Sequence, residues 1–159
     1  MDCFYCKKDE RQAALMTPLA EMTFSDVFLF RDQKHRGRCV VALKEHKDEI
    51  WQLSDEQRAD FFAEVSAVAE AVSEYAHADK INCAIYGDLV SHFHVHVVPK
   101  RKGELQWGGP FTDDIEKVFL PEEEFLETGK GVLAALEKIC NEKQLFIAPG
   151  GRESANGRV

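Results

Sequence analysis

The chain has 159 residues, 45 % of them hydrophobic and 30 % charged, with a formal net charge of −8; that is enough for one domain with a real core and short for two. The acidity argues against duplex nucleic acid as the main partner, because phosphate neutralisation needs a basic face, but leaves a small nucleotide open. No apolar run reaches membrane-spanning length, residues 1–10 lack the apolar core of a signal peptide, and five cysteines, an odd number, do not look like a disulfide framework, so a cytoplasmic setting with no membrane partner is expected.

In chain order, Cys3-Phe4-Tyr5-Cys6 is a C-x-x-C that reads as half a zinc site, a redox pair or two ordinary thiols. A thioredoxin-like role wants a strand ahead of the motif, and the two residues before Cys3 cannot supply one. Half a zinc site needs two more ligands, for which His46 and His92 are candidates. Residues 7–22, interrupted by Pro18, predict a turn and a short helix or irregular segment. Residues 27–30 and 39–43 read as two antiparallel strands joined by a polar connection in which Gly37 is the turn residue and His35 is solvated.

Ser54 and Gln57 form a capping box, with Asp55 and Glu56 at the positive end of the helix they open. Phe61, Phe62, Val65, Val68, Ala69 and Val72 then recur at helical spacing up to about Tyr75, a core-facing stripe. His77 falls in the loop beyond. Residues 81–86 predict a third strand, and Gly87, Asp88, Leu89, Val90 and Ser91 connect it to the next.

That next stretch is the chain's strongest signal. In residues 92–98 three histidines alternate with Phe93, Val95 and Val97, which is strand periodicity. His92, His94 and His96 should line one face, roughly 6.5–7 Å apart, and the apolar residues the other. Three readings compete: solvated histidines on an open face, a metal site, or a neutral imidazole that attacks phosphorus with its neighbours orienting it and protonating the leaving group.

Lys100, Arg101 and Lys102 follow, a solvated basic loop or an attraction for polyphosphate. Trp107, in a Gly/Pro loop, suits base stacking, contact with a second protomer or plain packing. A second helix begins near Leu120 with Pro121 at its first position, and Gly129 and Gly131 weaken its middle enough to bend or divide it. Residues 1–148 read as a single domain and residues 149–159 as a mobile tail. Strands clustered between 25 and 98, with one long helix among them and one after, predict an α+β domain with a largely antiparallel sheet.

His-Φ-His-Φ-His-Φ-Φ, with Φ apolar, resembles the signature of the histidine triad (HIT) nucleotide hydrolases and transferases, and residues 92–98 fit it at every position. Pro99-Lys100 and flanking matches extend the likeness over most of residues 3–111. The resemblance implies the HIT fold, a homodimer with a continuous sheet, and a small nucleotide substrate. His94 would attack the α-phosphorus of a nucleoside phosphoramidate or dinucleoside polyphosphate, forming a covalent nucleotidyl-histidine. His96 would donate to the phosphoryl oxygens or the leaving group, and His92 would orient its neighbours. Asp32, in Phe30-Arg31-Asp32, matches an acid that binds ribose, and Gly87, Asp88 and Leu89 occupy the α-phosphate segment, where Gly87 and Val90 match while Asp88 and Leu89 replace Gln and Ser. Cys3, Cys6, His46 and His92 match a structural zinc set of some bacterial members, with Leu43 in place of Pro; no metal is implied for the chemistry. Arg38 stands where the family carries a His supporting the nucleophile. Two rivals remain: a metal-dependent hydrolase that uses the three histidines as ligands, and a nucleotide-binding regulatory protein with little catalysis.

Overall fold

The computed structural model describes residues 2–151. Six strands form one antiparallel sheet in the order β4-β5-β3-β2-β1-β6: β1 (Met16–Met22), β2 (Ser25–Phe30), β3 (Cys39–Leu43), β4 (Lys80–Ala84), β5 (His94–Lys100) and β6 (Ile147–Pro149). Two short N-terminal helices, α1 (Phe4–Lys7) and α2 (Glu10–Leu15), precede the sheet, and two long ones follow in the chain, α3 (Asp55–Ala76) and α4 (Glu122–Lys143). The class is α+β, as the strand clustering predicts. No helix among the described residues is long and apolar enough to cross a membrane.

The long helices pack on one face of the sheet. Phe93, Val95 and Val97 point there, into a buried cluster with Phe61, Val68 and Val72 of α3 and Val132 and Leu136 of α4. Helix α3 starts as its sequence dictates, with both hydrogen bonds of the Ser54–Gln57 capping box present. It ends at His77, whose left-handed backbone (φ 49°) closes the last turn. The opposite face carries a smaller cluster in which Tyr5 of α1 packs with Met16, Phe28 and Val40, so the N-terminal segment roofs the side to which the histidines belong.

Four expectations need correction. Residues 16–22 are a strand, not an irregular segment: Pro18 is accommodated because the β1–β2 register shifts between Pro18 and Ala20 and because β6 reaches only from Ala20 to Met22 on the other side. Helix α4 is continuous through both glycines, and Pro121 is its N-cap rather than its first residue. A Cβ at position 131 would lie 2.4 Å from the Tyr75 ring, so Gly131 lets α3 and α4 approach closely. Residue 149, read as the start of a tail, is instead paired with Ala20, and the Gly150 amide donates to the Leu19 carbonyl. Residues 152–159 of that expected tail lie outside the described residues.

Candidate active site

Strand β5 begins at His94; His92 and Phe93 lie in the bend before it. All three histidines still fall on the face away from the long helices, but they are not solvated: His92, His94 and His96 are 2 %, 5 % and 8 % exposed. Tyr5 covers the first two, its ring 5.0 Å from that of His92 and 5.1 Å from that of His94. Burial holds all three imidazoles below their ordinary pKa, His96 down to about 3 with the Arg38 charge as second cause.

Each ring has a different partner. His94 Nδ1 lies 2.6 Å from the His92 carbonyl, an acceptor with no hydrogen to offer. Nδ1 must therefore carry the hydrogen, and a neutral ring then presents a bare Nε2. His92 Nε2 likewise donates to the Leu43 carbonyl at 2.7 Å, which leaves its Nδ1 bare. His96 accepts at Nδ1 from Arg38 Nη2, 3.1 Å away.

His94 and His96 border a cavity of about 600 Å³, a size suited to a small ligand. Its walls are largely apolar and come from distant stretches: Phe4 and Tyr5 of α1, Leu15, Phe30, Phe111 and Phe119. Asp32 lines it too, and is almost fully buried; its Oδ1 accepts from the Val118 amide at 3.0 Å and its Oδ2 pairs with Lys34 Nζ at 3.0 Å. Asp88 and Leu89 are on the rim, where Leu89 is 98 % exposed. Gly87 is exposed, with nothing within 4 Å of where its Cβ would lie. Asp32 is thus brought together with His94 and His96, whereas the 87–89 segment stands open.

Beside the cavity is a second cluster. Cys3, Cys6, His46 and His92 place one donor atom each within 4.8 Å of the others. Cys3 Sγ is 3.3 Å and Cys6 Sγ 3.6 Å from His92 Nδ1, Cys6 Sγ is 3.3 Å from His46 Nδ1, and the two Nδ1 atoms are 3.1 Å apart. His46 Nε2 lies 3.2 Å from Asp48 Oδ1, so a neutral His46 ring holds its hydrogen there and turns a bare Nδ1 to that of His92. Two lone pairs facing each other with no hydrogen between them call for a cation. Tetrahedral bonds of about 2.0–2.3 Å separate ligand atoms by roughly 3.3–3.8 Å, close to the spacing here. All five cysteines are free. The donor set fits zinc; the triad as a three-histidine ligand set does not, because His92 spends Nε2 on the Leu43 carbonyl and turns Nδ1 to the thiol–imidazole cluster, which leaves only His94 and His96 with nitrogens towards the cavity.

Sequence reasoning missed Asp113, which pairs through both oxygens with Arg38, and the Phe119 and α2 walls; no local motif marks any of them. It also misplaced His35. That ring is buried, 5 % exposed, and its Nε2 lies 2.8 Å from Gln106 Oε1. Two of the three residues in the basic run are engaged within the chain. Lys100 is buried with Nζ donating to the Gln106 carbonyl at 2.6 Å and to that of Gly109, and Arg101 Nε donates to the Ala76 carbonyl at 2.8 Å at the end of α3. Trp107 is 38 % exposed and takes no part in the cavity lining.

The HIT domain family profile matches residues 21–103. The chain is 32 % identical over 109 residues to the adenosine 5'-monophosphoramidase hnt1 of Schizosaccharomyces pombe, covering 68 % of this chain and 81 % of that protein. It is similar to the crystal structure of a histidine triad protein from Marinobacter aquaeolei (TM-score 0.74, 28 % identity, 82 % of this chain and 96 % of that one). It is also similar to that of a Zn-bound histidine triad family protein from Mycobacterium smegmatis (TM-score 0.64, 27 % identity, 89 % and 98 %). Sequence signature, sheet order and triad placement agree with these likenesses: the chain belongs to the HIT domain family.

Proposed function

We propose that the chain is a nucleotide hydrolase or nucleotidyl transferase that acts at the α-phosphorus of nucleoside phosphoramidates or dinucleoside polyphosphates. The observation that carries this is the His94 tautomer: with Nδ1–H bound to the His92 carbonyl, a bare Nε2 is left to the cavity. An imidazole kept unprotonated by burial is a competent nucleophile near neutral pH, where an amine is not. His94 Nε2 attacks phosphorus and the P–N or P–O bond to the leaving group breaks, the amine departing with a proton taken from solvent or the nucleoside phosphate departing as its anion, which gives a nucleotidyl-His94. Water then displaces Nε2 and releases the nucleoside monophosphate. In this reading the apolar walls take the base, and Asp32, which lines the same cavity, takes a ribose hydroxyl. The kinship with an adenosine 5'-monophosphoramidase supports the phosphoramidate class.

Cys3, Cys6, His46 and His92 hold a structural zinc in this reading, and zinc supplies a cross-link between the N-terminal segment and the sheet rather than a step in the reaction. Thiol ligands stay reduced in a cytoplasmic setting. A homodimer completes the reading, and strand β4, paired only with β5 among the described residues, offers the edge for a continuous sheet. Asp88 and the open Leu89 replace the family's side-chain phosphate donors; backbone N–H groups serve there instead.

The test is to quench the reaction with adenosine 5'-phosphoramidate and look by mass spectrometry for a peptide containing residues 92–96 with an added adenylyl group. Its presence in the unaltered protein and absence in His94→Ala is expected. Ordinary turnover by a folded His94→Ala sinks the mechanism; binding of the nucleotide with no turnover by the unaltered protein favours the regulatory alternative.

A further inference from the structure

Arg38 has no exposure at all. Its guanidinium lies 4.2 Å over the Phe30 ring and 5.2 Å over that of Phe111. Asp113 clamps it: Nη1 donates to Oδ1 at 2.6 Å and Nη2 to Oδ2 at 3.1 Å. The second hydrogen of Nη2 goes to His96 Nδ1 at 3.1 Å. A guanidinium only donates and does not lose its proton in proteins. His96 Nδ1 must therefore present a lone pair, and the neutral ring carries its hydrogen on Nε2, the nitrogen left for the cavity. His94, its ring centroid 5.2 Å away, has the opposite tautomer. One bare nitrogen and one N–H thus stand side by side.

We propose that Arg38 is a positioning residue that locks His96 as a neutral Nε2–H donor to a non-bridging oxygen of the reacting phosphorus. This rests on the reading of nucleotidyl transfer at His94. His96 forms and breaks no bond in either displacement; it stabilises charge as it builds on that oxygen. The groups facing its ring are Arg38, Asp113 (with Lys34 Nζ 3.8 Å from Oδ1), His94 and Tyr86, whose ring is 5.8 Å away. Of these Asp113 alone favours a charged His96, and both of its oxygens are taken by the guanidinium. A histidine at position 38 could donate or accept and would itself titrate. The arginine cannot, so the donor does not switch off across the physiological range.

The measurement is the tautomer and titration of His96 in full-length ¹⁵N-labelled protein, by two-bond ¹H–¹⁵N correlation, with the signal assigned from its loss in His96→Asn. No substrate is present, so this outcome is independent of whether the chain cleaves nucleotides. An Nε2–H tautomer that does not titrate between about pH 5 and 8 is expected; an Nδ1–H tautomer, or a midpoint near the ordinary value of about 6.5, overturns the proposal. Arg38→Gln, whose amide can turn either way, should bring His96 into titration and add a second ionisation to the kcat/KM profile for adenosine 5'-phosphoramidate. It should also lower kcat about tenfold with KM nearly unchanged. Arg38→Lys, again donor-only, should restore the Nε2–H tautomer. A His96 that stays locked in folded Arg38→Gln overturns the proposal, and if that variant does not fold the spectrum of the unaltered protein decides alone.

Discussion

The two ends of the histidine row are built from opposite materials. At His92, two thiols at 3.3 and 3.6 Å and a second imidazole nitrogen at 3.1 Å surround a bare Nδ1. At His96, a bare Nδ1 meets an N–H of a clamped guanidinium at 3.1 Å. The first arrangement asks for a cation to complete it; the second already contains one. Between them His94 gives its Nδ1 hydrogen to a carbonyl and turns its lone pair to the cavity. Three identical side chains on one face thus have three different kinds of partner: a thiol–imidazole cluster, a carbonyl and a guanidinium.

The largest effect should come from the middle of the row. His94→Ala is expected to lower turnover of adenosine 5'-phosphoramidate by on the order of 10³-fold or more, with the circular dichroism spectrum unchanged, because no neighbouring ring presents a bare nitrogen to the cavity.

The next effect separates the two ends. Cys6→Ser or His46→Ala should abolish zinc content, measured by metal analysis of protein purified without chelator, and destabilise the fold by about 3 kcal/mol, a Tm loss of roughly 6–12 °C. The His96 tautomer should be untouched. A tautomer that changes with zinc loss would mean that the ends are coupled through His94.

Acidification probes the other end. The folded-state pKa of His96 is depressed to about 3, so its contribution to stability is complete above the unfolded value of about 6.5 and is lost as pH falls from there towards 3. In urea titrations of Cys6→Ser, where metal release no longer contributes, His96 should account for about 2 kcal/mol of lost stability between pH 7.5 and 5. His96→Asn should flatten the slope by that amount; an equal slope in both proteins contradicts the buried neutral ring.

The last effect is a control remote from both ends. Gly131→Ala forces a methyl group against the Tyr75 ring, where its Cβ would lie 2.4 Å away. It should cost about 1–3 kcal/mol in chemical denaturation and leave zinc content and the His96 tautomer as they were.

Much of this was legible in the chain itself. The alternation in residues 92–98 put Phe93, Val95 and Val97 on the core side, and the Ser54–Gln57 box marked where α3 begins. The C-x-x-C, His46 and His92 resemble one ligand set in the sequence, and the fold brings their donor atoms within 4.8 Å. What misled were local rules overruled by neighbours. Pro18 reads as a breaker, but a bulge and a short outer strand leave it room. Lys100 and His35 read as solvated, yet the 104–109 turn supplies carbonyls and an amide that bury them.

The sequence alone determined that His94 and His96 would share one side of a strand, because side-chain alternation along a strand is a property of the covalent backbone; the bend that holds His92 on the same face belongs to the tertiary structure. Which nitrogen of each ring bears the hydrogen was decided only in three dimensions. Carbonyls at 43 and 92, the Arg38–Asp113 pair 75 residues apart, and thiols 86 and 89 residues away reach the rings only after the sheet has assembled. A hydrogen's place on an imidazole answers to the atom it faces, and no spacing rule along a chain records that atom.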